Sequence, residues 1–194
     1  MTLIGLTGGI GMGKSTIADF LAAKREFVVY TDVIARDLVK PGEKALRAIE
    51  AEFGSDVIGV DGALDRGALG KVVFQSEERR RALEQILHPP IRQAWKDWAE
   101  ERSKAGARRA VVVIPLLFET EAEREFDLTI CVACSAHVQR ERLRSRSWSD
   151  NEIDRRIVAQ SDVRKKMEQA DRVVWNEASV EVCQDQVTRI FKAL

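Results

Sequence analysis

The segment Gly8–Ser15 restricts the possible folds of this chain more than any other feature. Its sequence, GGIGMGKS, fits the pattern G-x-x-x-x-G-K-[ST]. The apolar residues Leu3–Leu6 precede it as a short buried strand, and a helical spacing of apolar residues follows from Lys14. Glycines let the backbone turn tightly and direct successive N–H groups at phosphate oxygens, and the helix N-terminus adds partial positive charge. The segment therefore predicts a phosphate-binding loop between a strand and a helix.

The side chains at the end of this loop indicate a nucleoside triphosphate as the ligand. We expect Lys14 to reach the β- and γ-phosphates, the Ser15 hydroxyl to ligate Mg²⁺, and Thr16 to contact the α-phosphate. A glycine-rich turn that only caps a helix is the alternative, and the correct strand and helix flanks disfavour it. The motif does not identify the reaction. The residues predicted to bind the triphosphate here are Gly8, Gly9, Gly11, Met12, Gly13, Lys14, Ser15 and Thr16.

Strand and helix patterns alternate along the rest of the chain. Four further runs have the composition of short strands: Phe27–Tyr30, Ala110–Ile114, Leu128–Val132 and Arg172–Trp175. The alternation predicts an α/β fold with a parallel sheet flanked by helices. The helical stretch between the second and third strands is longer than a plain crossover needs, which predicts an inserted helical subdomain. Within it, we expect a helix to be interrupted or kinked at His88-Pro89-Pro90.

Composition excludes several classes of protein. The chain has 31 basic and 31 acidic side chains, so its formal net charge is zero, which disfavours a dedicated nucleic-acid binder. The longest apolar stretch, Ala110–Phe118, is too short to span a membrane, and the N-terminus lacks the features of a signal peptide. The three cysteines are compatible with a reducing, cytoplasmic setting. Cys131 and Cys134 form a C-x-x-C pair that we interpret as two small buried residues, because no further ligands complete a metal site.

The strand Ala110–Ile114 helps to identify the kind of phosphate-loop protein. It ends in Pro115 rather than in the Asp that helps to hold the metal in phosphate-loop motors and GTPases, and the chain has no N-K-x-D guanine motif. These features favour a small-molecule kinase with the P-loop kinase fold, of the nucleoside-monophosphate-kinase kind. Such a kinase carries a helical acceptor-binding insert and an arginine-rich lid, and both patterns occur here.

Over nearly its whole length, the chain resembles the dephospho-CoA kinase family. The opening GLTGGIGMGKST and the segment Pro115–Glu119, with the sequence PLLFE, are its most specific matches. Further matches to family patterns are Asp32 with Val33–Arg36, Leu64–Arg66 with Leu69 and Val73-Phe74, Leu87–Pro89, Gln139, Arg142-Leu143, Arg146, Gln160, Lys166, Ala170-Asp171 and Asn176.

Three positions depart from the family pattern. The family's D-A-D is Tyr30-Thr31-Asp32 here, so only the second Asp is kept. Met12 replaces a serine of the phosphate loop, and we expect it to contribute only its backbone. Glu177 follows Asn176 in place of a small residue, which predicts an altered loop on the side of the nucleotide base.

The resemblance implies an activity. ATP, with Mg²⁺, would donate its γ-phosphoryl group to the ribose 3′-hydroxyl of dephospho-CoA, in the last step of coenzyme A synthesis. The implied catalytic residues are Lys14, Asp32 and Arg142, and the nucleotide would also contact Arg146 and Asn176, the latter at the adenine end. The implied residues on the acceptor side are Asp32, Arg36, Asp65, His88, Pro115, Leu116, Leu117 and Glu119. We expect a monomeric, cytoplasmic enzyme that binds neither nucleic acid nor a membrane.

The resemblance also implies how the chain is divided. We expect a single P-loop kinase domain with a core, an acceptor-binding helical insert and a lid that closes over the nucleotide. Their approximate bounds are 1–35, 106–143 and 168–194 for the core, 36–105 for the insert and 144–167 for the lid.

Several of these residues have structural explanations as well. Asp32 is suitable as the N-cap of a helix starting at Val33, and Asp65 as the cap of another helix. His88 could equally be a hydrogen-bonded structural histidine, and the apolar residues Leu116–Phe118 could belong to the core. Arg142 and Arg146 lie four residues apart, which predicts that they share one face of a helix running from about Ser135 to Ser145.

Two other functions remain open at the level of sequence. The same scaffold serves kinases for other small acceptors, such as a nucleoside monophosphate. A nucleic-acid-binding ATPase is a different class, motivated by four alternate arginines, Arg140, Arg142, Arg144 and Arg146.

Overall fold

A computed structural model describes residues 1–73 and 76–194. Phe74, part of the Val73-Phe74 pattern that resembles the kinase family, lies outside the described residues. By the distribution of its internal contacts, the chain divides into two compact units. The first comprises Met1–Val29 and Glu101–Leu194, and the second comprises Tyr30–Glu100. The expected division into core, insert and lid, with the bounds given above, stays a prediction.

Five strands of the described chain form one sheet, in the order β2-β3-β1-β4-β5. Strand β1 pairs in parallel with β3 and β4, and β4 pairs in parallel with β5. The predicted α/β fold with a parallel sheet is confirmed. The strands are β1 (Thr2–Thr7), β2 (Phe27–Tyr30), β3 (Arg109–Val113), β4 (Leu128–Ala133) and β5 (Arg172–Trp175).

The three central strands are buried because their sequences are apolar on both faces. All six residues of β4 and the last four of β3 are buried, as are the last four of β1. Strands covered by helices on both faces need such continuous apolar runs. Because β1, β3 and β4 run in parallel, the loops that follow Thr7, Val113 and Ala133 all leave from the carboxyl edge of the sheet, where α/β folds bind their ligands.

The described residues form nine α-helices. None of them combines the length and the hydropathy that a membrane span requires. Short 3₁₀ turns occur at Ser55–Val57 and Glu123–Glu125. The helices are α1 (Lys14–Ala23), α2 (Thr31–Asp37), α3 (Lys44–Phe53), α4 (Arg66–Val73), α5 (Glu77–Lys104), α6 (Ala136–Arg144), α7 (Asp150–Val158), α8 (Val163–Gln169) and α9 (Val180–Lys192).

Helix α5 runs through Pro89 and Pro90, so the predicted interruption does not occur, and the alternative of a kink at these residues stays a prediction. Each proline removes a backbone donor and costs a helix interior about 3 kcal/mol. Apolar burial on both sides offsets this cost. Trp95 and Ala99 are buried after the prolines. Before them, Leu83, Ile86 and Leu87 pack against the apolar core of the second unit.

Asp171 fixes the start of β5 against the neighbouring strand β4. Its Oδ2 accepts hydrogen bonds from the backbone N–H and the hydroxyl of Thr129, both at 2.7 Å, and its own N–H donates to the Thr129 hydroxyl at 3.0 Å. The hydroxyl and backbone donors of Thr129 hold the pKa of Asp171 below its ordinary value of 3.8. The ionised form of the Asp171 carboxyl group is therefore more stable in the folded chain than in the unfolded chain.

We predict that Asp171→Asn lowers the stability of the protein in a pH-dependent way. A depressed pKa in the folded state contributes stability that is present above the unfolded pKa and is lost as the pH falls through the folded pKa. The difference in free energy of unfolding between wild type and variant should thus be constant well above pH 3.8 and shrink below it. Urea titrations from neutral to acid pH measure this difference. A difference that stays constant at low pH would contradict the assignment, and Asp127→Asn, which removes a different carboxylate–backbone contact, is the comparison variant.

Candidate functional site

The predicted phosphate loop lies where expected, between the end of β1 and the start of α1. Gly8, Gly11 and Gly13 have positive φ angles of 144°, 75° and 92°, which glycine adopts without strain. Close approach also excludes side chains at two of these positions. A Cβ at Gly8 would stand 2.2 Å from the Val132 carbonyl oxygen, and one at Gly13 would stand 1.8 Å from Nδ2 of Asn176.

The N-terminus of α1 is open toward the loop. Its N-cap residue, Gly13, makes no side-chain capping hydrogen bond. The Lys14 ammonium donates to the carbonyl oxygens of Gly8 at 2.8 Å and Gly9 at 3.1 Å, so it lies over the loop itself. Ser15 and Thr16 are exposed in the first turn. The uncapped N-terminus of a helix and an ammonium group therefore lie together at the loop, and both favour the binding of a phosphate chain.

Arg142 adds a second cation beside this loop. Its Nη1 is buried and has no hydrogen-bond partner within the described residues. The same nitrogen lies 3.6 Å from the point where a Cβ of Gly13 would stand. A buried donor without a partner is costly, and a charged one more so. An anion bound at the loop would remove that cost, so Arg142 fits the predicted phosphate clamp.

The prediction that Arg142 and Arg146 share one helical face is wrong. Helix α6 ends at Arg144, and Arg146 lies in the turn that follows. The Ser145 hydroxyl donates to the Arg142 carbonyl at 2.8 Å, and Ser147 adopts a left-handed φ of 62°, which turns the chain away from the helix axis. The structure therefore places Arg142 beside the phosphate loop, and contact of Arg146 with the nucleotide stays a prediction.

The remaining arginines of α6 are used within the protein. Arg140 pairs with Asp154, and Arg144 pairs with Asp150 at 2.8 Å, so both connect α6 to α7. These residues therefore do not form the row of unpaired cations that a nucleic-acid-binding helix would need.

Side chains from distant segments fix the backbone of the phosphate loop at Ile10. Gln139 on α6 donates to the Ile10 carbonyl at 2.7 Å, and Gln160, after α7, accepts from the Ile10 N–H at 2.8 Å. Asn176 supports the loop at a second residue, since its Nδ2 donates to the Met12 carbonyl at 2.9 Å. The side chain of Asn176 is thus engaged with the phosphate loop, and its place at the adenine end stays a prediction.

Met12 contributes its side chain as well as its backbone, contrary to our expectation. Only 1% of the residue is exposed. Its sulfur accepts a hydrogen bond from the Cys134 N–H at 3.2 Å. The thioether packs in a small apolar cluster with Ala133 and Cys134, against which Val138, Val163 and Met167 also pack. The Met12 side chain therefore anchors the phosphate loop to the residues at the end of β4.

The cysteines have no redox or metal arrangement. Cys131, Cys134 and Cys183 are free and buried. Burial raises the pKa of Cys131 to about 11 and also raises the pKa values of the other two thiols. Residues 1–73 and 76–194 contain no cluster of three or more candidate metal ligands of the His, Cys, Asp and Glu types. The predicted interpretation of the C-x-x-C pair as small buried residues is confirmed.

Glu177, the third departure from the family pattern, fastens the loop after β5 to the start of α6. Its two carboxylate oxygens accept from the Ser135 N–H and hydroxyl, each at 2.9 Å. These two hydrogen bonds hold the pKa of Glu177 below its ordinary value. Ser135 is also the N-cap of α6, the helix that carries Arg142. Glu177 therefore helps to position the start of that helix.

The segment Pro115–Glu119 follows β3 at the carboxyl edge of the sheet. Pro115 and Leu116 are half-buried. Leu117 is fully buried, and its Cδ2 would lie 3.2 Å from a Cβ placed at Gly5. Leu117 is thus a core residue, which is the structural alternative given above, and its contact with the acceptor stays a prediction. Glu119 forms an ion pair with Lys166 at 2.8 Å. Lys166 was predicted only as part of a family pattern, and nothing in its local sequence indicated its burial.

Asp32 and Arg36 belong to the second unit and lie on helix α2. This helix begins at Thr31 with Tyr30 as its N-cap, so Asp32 is in the first turn, and its interpretation as the cap of a helix starting at Val33 is wrong. The residue is exposed. Arg36 is exposed too, and its Nε donates to the Asp32 carbonyl at 3.2 Å.

Asp65 and His88 have structural surroundings within the same unit. Asp65 Oδ1 accepts from the N–H groups of Gly67 at 2.8 Å and Ala68 at 2.9 Å, so the predicted helix cap is confirmed. His88 is half-buried in α5. Burial lowers its pKa; Glu84 opposes that shift, and Arg92 adds to it.

Comparison with known proteins places this site in a family. The model of the dephospho-CoA kinase family matches residues 2–181. A dephospho-CoA kinase from Bdellovibrio bacteriovorus is 42% identical over 194 residues, which cover 100% of this chain and 96% of that protein. A dephospho-CoA kinase from Bacillus anthracis is 38% identical over 191 residues, covering 98% and 96%.

Solved structures show the same fold. A Thermus thermophilus crystal structure has a TM-score of 0.86 and 32% identity, over 99% of this chain and 96% of that one. A Campylobacter jejuni dephospho-CoA kinase has a TM-score of 0.72 and 24% identity, over 98% and 95%. With the phosphate loop and Arg142 arranged as described, and with the family model matching most of its length, the chain belongs to the dephospho-CoA kinase family.

Proposed function

We propose that this chain transfers the γ-phosphoryl group of ATP to the ribose 3′-hydroxyl of dephospho-CoA, giving coenzyme A and ADP in the last step of coenzyme A synthesis. The observation that carries the proposal is the buried, unpartnered Nη1 of Arg142 beside Gly13, in a chain that belongs to the dephospho-CoA kinase family. A buried guanidinium N–H without a partner next to a phosphate loop supports the binding of a highly charged group there.

The phosphate loop binds the triphosphate. Its amide groups and the open end of α1 receive the phosphate oxygens, and Lys14 exchanges the carbonyl oxygens of Gly8 and Gly9 for the β- and γ-phosphates. Gln139, Gln160 and Asn176 hold the loop backbone before the ligand arrives. Because the loop is already organised, little of the binding energy is used to order it.

Arg142 neutralises charge that develops on the transferred group. Its guanidinium can donate to two oxygens at once, which suits the dispersed charge of a loose transition state. Arg146, in the turn after α6, is exposed and reaches the nucleotide only if the segment 144–167 closes as a lid. We assign that segment the task of excluding water, which would otherwise accept the phosphoryl group.

Magnesium fits the donor set at the start of α1. Bound Mg²⁺ usually keeps several water ligands and takes only one or two ligands from the protein, and these are oxygen atoms. The exposed Ser15 hydroxyl can supply one such oxygen ligand. When bound, the ion would neutralise charge on the β- and γ-phosphates. Ser15 is the residue to which we assign its binding.

We assign orientation of the acceptor hydroxyl, and acceptance of its proton, to Asp32. Its carboxylate is exposed, and it lies in the first turn of α2, directly after β2. Arg36, His88 and the exposed parts of Pro115–Glu119 are assigned to binding of the acceptor. One Asp65 oxygen is used as a helix cap, so only its other oxygen is available for that role.

Assembly and location follow from the same proposal. We propose a monomer with a small-molecule acceptor and no nucleic-acid partner, in keeping with the zero net charge and the paired arginines of α6. Three free thiols are compatible with a reducing cytoplasm.

An ATP-coupled assay with alternative acceptors tests the proposed function. Purified protein, ATP and Mg²⁺ are combined with dephospho-CoA or with a panel of nucleoside monophosphates, and ADP formation is followed. We expect turnover with dephospho-CoA and formation of coenzyme A. Turnover of a nucleoside monophosphate without turnover of dephospho-CoA would overturn the assignment.

We predict that Lys14→Ala lowers kcat by about 10²-fold or more, because it removes a cation that stabilises the transferring phosphoryl group. Steady-state kinetics with dephospho-CoA measure the change. Lys24→Ala, at the other end of α1, is the matched control and should keep wild-type kinetics. Near-wild-type turnover of Lys14→Ala would contradict the phosphate-loop assignment.

We predict that Asp32→Asn lowers kcat far more than it weakens ATP binding. The amide keeps the shape of the side chain but cannot take the hydroxyl proton. Asp37→Asn, in the last turn of the same helix, serves as control. ATP affinity is measured by calorimetry and kcat by the coupled assay. Weaker ATP binding with unchanged kcat would contradict the role given to Asp32.

A further inference from the structure

Lys166, on α8, is a buried cation that none of the proposed steps uses. Its residue is 0% exposed. The ammonium donates to the Pro115 carbonyl at 2.7 Å and pairs with Glu119 Oε1 at 2.8 Å. Burying such a charge costs more than burying an apolar side chain of the same size. The contacts of Lys166 therefore call for an explanation beyond packing.

Both contacts fall on one segment, the loop that follows β3. The Pro115 carbonyl also accepts from the Thr7 hydroxyl at 3.3 Å. Thr7 is the last residue of β1, and Gly8 of the phosphate loop follows it directly. Lys166 thus holds the start of the Pro115–Glu119 segment at the point of the sheet edge where the phosphate loop begins.

The other end of this segment is held through Glu119. The oxygen that pairs with Lys166 also accepts from the Ser161 N–H at 2.9 Å. Gln160, the preceding residue, accepts from the Ile10 N–H of the phosphate loop. The connection between α7 and α8 therefore contacts the phosphate loop with one residue and the Pro115–Glu119 segment with the next.

We propose that Lys166 is a positioning residue, which fixes the Pro115–Glu119 segment for the acceptor by holding both of its ends. The proposal rests on the proposed function, which assigns the exposed part of that segment to dephospho-CoA. A purely stabilising role is the competing explanation, but a buried ion pair is often no more stable than apolar residues of similar volume. What the pair supplies is a fixed geometry, because it places one cation between a carbonyl and a carboxylate at hydrogen-bond distance.

The test separates positioning from stability with Lys166→Met, Glu119→Gln and the double variant. Met keeps the volume of the stem and removes the charge, and Gln keeps an oxygen for the Ser161 N–H. Val187→Ala, a buried position on α9, is the control for a loss of stability in the same unit. For each protein, Tm is measured by calorimetry, and the KM values for dephospho-CoA and ATP are measured separately.

We expect Lys166→Met to raise the KM for dephospho-CoA about tenfold, while the KM for ATP stays within about twofold. A tenfold rise corresponds to the loss of roughly one charge-assisted hydrogen bond. Adding Glu119→Gln should recover part of the Tm, since no unpaired charge remains, without restoring the acceptor KM. Glu119→Gln should also change the acceptor KM less when it is added to Lys166→Met than when it is introduced into the wild type, because the two residues act on one segment.

Three results would overturn the proposal. One is an acceptor KM that recovers together with Tm in the double variant. Another is an equal rise of both KM values, as expected for a general loss of stability in Val187→Ala. The third is an additive effect of the two substitutions on the acceptor KM. If Lys166→Met does not fold, the double variant is compared with Glu119→Gln on the same criteria. Failure of the wild type to phosphorylate dephospho-CoA would instead overturn the proposed function, so the two failures are distinguishable.

Discussion

The site depends on the hydrogen bonds by which side chains of other segments fix the backbone of the phosphate loop. The carbonyl oxygens of such a loop need partners, because buried backbone groups without partners are costly. Gln139 and Asn176 supply those partners at Ile10 and Met12, and they come from α6 and from the end of β5. The glycines permit the conformation, and these distant side chains maintain it. The order of strands in the sheet brings β4, and the loop after it, beside β1 so that this support is possible.

Two cations of the first unit differ in how completely the protein itself satisfies them. Arg142 keeps one nitrogen buried and without a partner beside the phosphate loop, so its charge remains available to a ligand. Lys166 is completely buried, and both a carbonyl and a carboxylate satisfy it. The Nη1 of Arg142 is thus left unsatisfied by the described protein, whereas the ammonium of Lys166 is satisfied by it. Desolvation strengthens the electrostatic interactions of both groups.

Much of the fold followed from local sequence, whereas the support of the site did not. The strand at Ala110–Ile114 was predictable because a β-branched run buried on both faces leaves few alternatives, and the cap at Asp65 because it precedes a helical pattern. The burial of Met12 depends on Cys134, far away in sequence, so no local pattern could reveal it. The end of α6 before Arg146 depends on one hydroxyl bond and one left-handed residue, which periodicity does not detect. The roles of Asp32, Arg36 and His88 remain predictions.

The three cysteines have a practical consequence. All are buried, and burial raises the pKa of each thiol, to about 11 for Cys131. Thiolates, which are the reactive form, are therefore scarce in the native enzyme at neutral pH. A single new cysteine on an exposed position of α7 would react with a maleimide dye or spin label well before the native ones. Movements of that helix during turnover could then be followed spectroscopically without first building a cysteine-free background.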